Sequence, residues 1–282
     1  MNACEILLHP KQLCILKNPP SSDTADSHSF FEIDCLISGH CTIRLEQHSF
    51  SLAPGSFCFI PPGKSHSLQM EKDCCLYQLL LSPDILEQLL AFSFDDNIFA
   101  QFFLQAFFAK TSCGFLVCAP ENTDSSTSLL LDSIYLESKK TDAYSNRMLF
   151  HLFLTLLYQL MRSYQNTLYD CPNIAKGAHI AVIARYLMQN YQTASLSGLA
   201  DQLNYSLSYC SRFVVENTGY TFKQLQKKIR MQKAAICLLS SDMQINEITE
   251  QLGYSSPENF MKVFKQEYGL TPMQYRERMK PQ

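Results

Sequence analysis

The sequence predicts an α+β protein with two domains: an N-terminal antiparallel β-barrel with a helical pair, and an all-α C-terminal domain with a double helix-turn-helix. Three observations support this prediction. Short alternating strands with Pro/Gly turns fill residues 28–81, helical periodicity dominates from 179 onward, and the balance of charge changes between the two parts. Up to Ala178 there are eleven Lys and Arg against eighteen Asp and Glu; from His179 there are twelve against eight. A basic part of this kind is typical of a module that binds a polyanion.

The first domain is predicted over 1–165, with its barrel strands over about 28–81. The segments "FFEIDCLISG", "CTIRLEQHSFSL" and "APGSFCFIPPGKSH" alternate apolar and polar residues between tight turns. Helices are expected over about 82–165, beginning where Ser82 caps and Pro83 starts a helix. Two of them, within 126–165, have an apolar surface wider than one core face needs. That surface either packs on the barrel or forms a dimer interface.

The cysteines and the most apolar segment indicate the compartment. The twelve cysteines form no CxxC pair, and the N-terminus has no charged-then-apolar export signal. We therefore expect reduced, buried thiols in a cytoplasmic protein without a cofactor. The segment 148–161 is about 21 Å long as a helix, shorter than the apolar core of a bilayer of about 30 Å. It is predicted to be a buried or interface helix, with no membrane as partner.

The strand segments "ISGHCTIRL" and "LAPGSFCFIPPGKSH" resemble a cupin barrel, in particular the sensor domains of AraC-type regulators, over residues 28–81. Metal-binding cupins have a His-x-His pair followed by Glu, whereas here His40, Glu46 and His48 have the wrong spacing. We therefore expect neither a metal nor a catalytic residue. A small-molecule effector is the expected ligand of this domain, and its candidate contacts are Arg44, His66 and Tyr77.

After a linker over 166–178, the second domain is predicted over 179–282 and contains an internal repeat. Residues from Leu196 to Ser206 recur 49 positions later, from Ile245 to Ser255, and the match continues after a one-residue insertion. Each copy has the pattern of a helix, a tight turn and a second helix. A long helix over 222–239 separates the copies. Its basic side is expected to be solvated, with phosphate contacts only a weak prediction.

The segments "LADQLNYSLSYCSRF" and "INEITEQLGYSSPENFMKVFKQEYGLTPMQYR" resemble the double helix-turn-helix domain of the AraC family of transcription regulators. The resemblance covers the last hundred residues or so. It implies that the outward positions of both second helices contact double-stranded DNA. The residues at these positions are Ser208, Ser211, Arg212, Glu258, Asn259 and Lys262, with Lys265 at a phosphate.

Two adjacent positions depart from the family pattern. The family usually has an aromatic and then a basic residue where this chain has Val214 and Val215. The first motif therefore lacks a phosphate contact, and we expect the second motif to supply more of the non-specific affinity.

Together these features predict a DNA-binding transcription regulator controlled by an effector, acting as a homodimer, with RNA polymerase as a further partner. Two alternatives remain. The N-terminal half could bind a protein in place of a ligand, or the chain could be a cupin-type or thiol-dependent enzyme. Against the enzyme, the sequence has neither a His-x-His pair nor a phosphate-binding glycine loop.

Overall fold

The computed structural model describes residues 13–82, 114–119, 125–163 except 143, 168–169 and 174–279, with isolated positions at 85, 102, 103 and 106. The chain folds as two compact units. The first unit contains Met1–Leu89 and Ser112–Ile174, the second contains Ala175–Gln282, and short segments between 90 and 111 belong to one or the other.

The first unit is built on two antiparallel sheets. The strands of the six-stranded sheet lie in the order β1, β8, β3, β6, β9, β10, and those of the four-stranded sheet in the order β2, β7, β4, β5. Their bounds are β1 Leu13–Lys17, β2 Ser22–Asp26, β3 Phe31–Ser38, β4 Cys41–Leu45, β5 His48–Leu52, β6 Phe57–Ile60, β7 His66–Met70, β8 Cys75–Leu81, β9 Leu116–Cys118 and β10 Leu168–Tyr169.

Alternation within the strands forms the core between these sheets. On β4, Cys41, Ile43 and Leu45 are buried and Arg44 is exposed, as expected for a strand with one face in the interior. They join one cluster with Leu36 of β3 and residues of both sheets. The cluster therefore holds the two sheets together by burying their facing apolar surfaces.

The strands extend beyond the predicted barrel region. β1 and β2 precede residue 28, β9 lies within the region predicted as helical, and β10 lies in the predicted linker. β9 and β10 have three and two residues, too few to show a period in the sequence. The predicted helix that begins at Pro83 falls almost wholly outside the described residues.

Two helices pack beside the sheets: α1 (Ser125–Ser138) and α2 (Ser145–Ser163). α2 buries eight residues, among them Phe153, Leu156 and Leu157. This burial agrees with the interpretation that the wide apolar surface packs within its own domain. On α1, however, Leu129 and Leu136 remain exposed, with 68% and 65% of their surface open. No described helix is both long and apolar enough to cross a bilayer.

The second unit is all helical. Its helices are α3 Ile174–Gln189, α4 Leu196–Leu203, α5 Leu207–Thr218, α6 Phe222–Ser240, α7 Ile245–Gln251, α8 Pro257–Tyr268 and α9 Pro272–Met279. One buried cluster includes Leu199, Phe213 and Leu225, and a second includes Leu238, Phe260 and Phe264. Each helix-turn-helix thus has its own core, and α6 contributes to both.

Candidate functional site

The predicted repeat is present in the structure as two helix-turn-helix motifs, α4–α5 and α7–α8. In each motif one residue of the turn after the first helix lies in the left-handed conformation, Asn204 with φ 54° and Gly253 with φ 73°. These positions are 49 residues apart, as the repeat requires. Asn and Gly are the residues that adopt this conformation at least cost, so the same turn is encoded twice.

The second helix of each motif is fixed at both ends by its own sequence. Ser206 accepts a hydrogen bond from the amide of Tyr209, and Ser256 accepts one from the amide of Asn259. Such N-caps satisfy amides that have no partner within the helix. At their C-terminal ends, α5 and α8 end at left-handed Gly219 and Gly269. The faces of these helices are therefore set by local chemistry as well as by packing.

All seven residues predicted to contact DNA are exposed on these two helices. They are Ser208, Ser211, Arg212, Glu258, Asn259, Lys262 and Lys265. The opposite face of α5 is buried through Cys210, Phe213 and Val214, as the periodicity indicates. Three of the predicted residues thus lie on α5 and four on α8, and all seven side chains are exposed to solvent.

Four exposed apolar side chains on the same helices are not among the predicted contacts. Leu207 is 54% exposed, Tyr209 46%, Val215 43% and Met261 38%. The ring of Tyr209 packs edge-on against Tyr205, with centroids 4.6 Å apart. The signal in the sequence is an apolar residue on an outward helical position, which is consistent with a surface that makes contacts.

The basic side of α6 is engaged within the protein more than the sequence indicates. Arg230 donates to the carbonyls of Tyr191 at 2.8 Å and Gln192 at 2.7 Å. Lys227 pairs with Glu267 at 2.9 Å. Lys233 lies 4.9 Å from the ring centre of Tyr191. These three charges therefore have partners within the protein.

In the first unit, three side chains form a buried cluster, and only one of them, His66, is among the predicted contacts. His28 lies just before β3, Glu32 lies on β3, and His66 begins β7. The Nε2 atom of His28 is 2.9 Å from Glu32 Oε2, and that of His66 is 3.4 Å from Glu32 Oε1. All three residues are less than 9% exposed. His66 is therefore not an isolated or exposed histidine.

The pKa values of the cluster follow from burial and hydrogen bonding. Burial opposes ionisation of Glu32, but its hydrogen bonds with His28 and His66 outweigh that cost and lower its pKa to about 2. Burial likewise opposes a charge on His66, yet the bond to Glu32 raises its pKa. Asp34, two positions along β3, has a pKa raised well above its usual value by burial and by the negative charge of Glu32.

Gln78 of β8 ties the two acidic side chains together. Its Nε2 donates to Glu32 Oε1 at 2.8 Å and lies 3.3 Å from Asp34 Oδ1. Asp34 Oδ2 is buried without a hydrogen-bond partner. No residue of β3 is among the predicted site residues. The signal was present, since two acidic residues alternate within a strand that is buried on both faces.

The three predicted effector contacts do not form one site. Arg44 is exposed on β4 of the four-stranded sheet, whereas Tyr77 is buried on β8 of the six-stranded sheet. Arg44 and Tyr77 are therefore on different sheets, because strand order is set by long-range pairing. The Tyr77 hydroxyl donates to Asp132 of α1, and Lys17 Nζ lies 3.2 Å from the same carboxylate.

None of the nine cysteines in the described part of the chain is in a disulfide. Burial raises the pKa of seven of these thiols, which are Cys35, Cys41, Cys58, Cys74, Cys118, Cys210 and Cys237. A raised pKa disfavours the thiolate, the form that acts as a nucleophile. These seven thiols therefore do not support a thiol-dependent reaction.

Two family models match the chain. The model for the AraC-like ligand binding domain matches residues 9–160, more than half of the chain, and a model for a helix-turn-helix domain matches residues 199–278. The chain belongs to the AraC family of transcription regulators. Both the predicted membership and the two-domain α+β fold class are confirmed.

Several transcription regulators are similar to this chain in sequence. YisR of Bacillus subtilis, an uncharacterized HTH-type transcriptional regulator, is 32% identical over 122 residues, 43% of this chain and 42% of YisR. The activator CfaD of Escherichia coli is 39% identical over 82 residues, 29% of this chain and 30% of CfaD. The chain thus matches less than half the length of each. The activator RhaR of Yersinia pseudotuberculosis is 23% identical over 276 residues, 92% of this chain and 87% of RhaR.

Solved structures are also similar. The C-terminal domain of AraT, a response regulator from Geobacillus stearothermophilus, is 36% identical, covers 35% of this chain and 86% of that chain, and has a TM-score of 0.33. ToxT from Vibrio cholerae is 14% identical, covers 94% of this chain and 96% of that chain, and has a TM-score of 0.37.

Proposed function

We propose that this AraC-family chain binds a specific DNA sequence and regulates transcription from it. The observation that supports the proposal is the pair of helices α5 and α8, each capped, each buried on one face and each presenting polar and charged side chains on the other. In a helix-turn-helix, the second helix enters the major groove, where such side chains reach base edges.

The length of α6 fits a site with two half-sites. Its 19 residues extend about 28 Å at the helical rise. One turn of DNA is about 34 Å, so two helices joined in this way suit adjacent major grooves. Base contacts are assigned to Ser208, Ser211, Arg212, Glu258, Asn259 and Lys262, and a phosphate contact to Lys265.

The N-terminal unit is proposed to control this activity. The buried polar residues His28, Glu32 and His66 join its two sheets, and buried polar groups suit a small-molecule effector more than a protein partner, because a protein would contact an outer surface. Of the three contacts first predicted, only His66 belongs to this interior cluster. The regulator is proposed to act in the cytoplasm as a homodimer, and to reach the promoter together with RNA polymerase.

Selection of genomic DNA fragments by the full-length protein tests the proposal. The wild type and the Arg212→Ala/Lys262→Ala double variant are compared at two salt concentrations. We expect enrichment of one bipartite sequence with half-sites about one helical turn apart, lost in the variant. The selection is repeated with cell extract as a source of effector. The proposal would be contradicted if, with and without extract, both proteins bound all fragments equally and only salt changed that binding.

A further inference from the structure

The cluster of His28, Glu32 and His66 has the composition of a metal-binding site. The potential ligand atoms of these three buried residues all lie within 4.8 Å of one another. Glu32 belongs to the six-stranded sheet and His66 to the four-stranded sheet, so the cluster connects the two. Two imidazoles and one carboxylate are ligands that suit divalent ions from iron to zinc, and not Mg²⁺ or Ca²⁺.

The backbone fixes which nitrogen of each ring is available. His28 Nδ1 lies 2.9 Å from the carbonyl of Phe30, and His66 Nδ1 lies 3.0 Å from the carbonyl of Lys64. A carbonyl only accepts, so Nδ1 carries the proton in both rings. In the neutral rings Nε2 then has a lone pair directed toward Glu32. This is how histidines that bind metals are commonly oriented, with the other nitrogen bonded to a carbonyl.

A divalent cation can take the place of the protons that charged rings would donate from Nε2 to Glu32. Neutral rings without an ion would set two nitrogen lone pairs against a carboxylate, whereas charged rings bury positive charge beside Glu32 and Asp34. A divalent ion accepts all three lone pairs at once. The hydrogen bond that Gln78 donates to Glu32 at 2.8 Å holds the carboxylate in place, as an outer partner of a metal ligand does.

The distances agree with this assignment. Metal–ligand bonds of about 2.0–2.2 Å place neighbouring ligand atoms about 3.0–3.5 Å apart. The two nitrogen–oxygen distances to Glu32 are 2.9 and 3.4 Å. The ligand atoms of the two rings lie within 4.8 Å of one another, so the rings must come closer for both to bind one ion.

We propose that the N-terminal unit binds one divalent transition-metal ion through His28 Nε2, His66 Nε2 and the Glu32 carboxylate. Three protein ligands leave at least one position open. That position would accept water or an oxygen or nitrogen donor of the effector. The proposal stands apart from DNA recognition, since metal binding is measured directly and does not depend on the regulator function.

Titration of the metal-free, full-length protein with Co²⁺ tests the proposal through its visible d–d absorption, with equilibrium dialysis for stoichiometry. We expect one Co²⁺ per chain at this site, at least tenfold weaker binding in Glu32→Gln and His66→Gln, and no competition by Mg²⁺. The control is His40→Gln, which alters an exposed histidine in the same unit. It should bind Co²⁺ as the wild type does.

Cysteine binding is the main competing outcome, because the chain has twelve thiols. Thiolate-bound Co²⁺ adds a strong near-ultraviolet charge-transfer band that nitrogen and oxygen ligands lack. Absence of Co²⁺ uptake by the wild type, or uptake only with that band and unchanged in Glu32→Gln, would overturn the proposal. Thermal unfolding of the wild type gives an independent check that needs no variant: Co²⁺ should raise its Tm and Mg²⁺ should not.

Discussion

At the scale of single residues, Arg212 has the greatest expected effect on DNA specificity. It is exposed on α5, as are Ser208 and Ser211, whereas Phe213 is buried. A guanidinium can bond both acceptors of a guanine edge, and this discriminates against other bases by about 1–3 kcal/mol. Arg212→Ala should therefore weaken specific binding by roughly 5- to 150-fold.

Arg212→Lys is the matched variant for this test, because it keeps the charge and loses the planar pair of donors. Fluorescence anisotropy with the selected sequence and with unrelated DNA measures both affinities. We expect Arg212→Lys to retain affinity for unrelated DNA and to lose preference for the selected sequence. If Arg212→Lys keeps that preference, the guanine contact is wrong.

Lys265 and Val215 test the predicted difference between the two motifs. Both side chains are exposed, on α8 and α5 respectively. Each phosphate contact contributes about 0.9 to the slope of log affinity against log salt. Lys265→Ala should reduce that slope by about one contact and weaken binding to all sequences, whereas Val215→Ala should leave the slope unchanged. If the two substitutions weakened binding equally, α8 would not supply more of the non-specific affinity than α5.

At the scale of the structural elements, the turn between α7 and α8 combines a backbone requirement with close packing. Gly253 has φ +73°, and a Cβ added there would lie 2.8 Å from the carbonyl oxygen of Gln192. Gly269 has φ +71°, and a Cβ there would meet no atom within 4 Å. The two glycines therefore share the conformational requirement and differ in the packing.

Alanine at each position separates these two contributions. The left-handed conformation costs about 1–2 kcal/mol for a residue with a Cβ, and this is the expected loss in Gly269→Ala. Gly253→Ala should lose a further 1–3 kcal/mol or so, because backbone must move to relieve the contact. Urea unfolding of the full-length variants measures the difference. Equal losses would mean that Gln192 is free to move away.

The interactions of Asp132 that attach α1 to the sheet should weaken at low pH. The hydrogen bond from Tyr77, and then that from Lys17, lower the pKa of Asp132 below its usual value of 3.8. A lowered pKa in the folded state stabilises the fold above the ordinary pKa, and this contribution is lost as the pH falls through the folded value. The side chain is 46% exposed, so the gain is about 1 kcal/mol or less.

Asp132→Asn measures that contribution. Its free energy of unfolding should lie below that of the wild type by the same amount at pH 8 and pH 6, and the gap should shrink below about pH 4. Tyr77→Phe is the partner variant, which removes the donor and keeps the carboxylate and Lys17. A gap that widens on acidification would contradict the assignment.

The sequence predicted helices and turns better than contacts between strands. Caps such as Ser206 and Ser256 and the left-handed turn at Asn204 and Gly253 are local, so their positions could be inferred from neighbouring residues. The cluster at Glu32 requires residues 28, 32, 66 and 78 to meet, and this depends on strand pairing across the sheets. A local pattern contains no information on that pairing, so it could not show that Arg44 and Tyr77 lie on different sheets.

At the scale of the whole molecule, both predicted domain types are present, and the proposed homodimer needs an interface. α2 buries its apolar face within its own unit, whereas α1 leaves Leu129 and Leu136 exposed. They are seven residues apart and lie on one helical face, the spacing found where two helices pack. We expect this face to meet the same face of a second copy, as symmetric dimers require.

Leu129→Glu and Leu136→Glu would place negative charge in that interface and should weaken self-association at least tenfold in sedimentation experiments. Met273→Glu is the control, since Met273 is 49% exposed on α9 in the other unit. Because a dimer engages paired sites with added avidity, the α1 variants should also lose binding to a bipartite site while keeping affinity for one half-site. Unchanged self-association in both α1 variants would place the dimer interface elsewhere, and unchanged binding to the bipartite site in a monomeric variant would show that one chain recognises DNA alone.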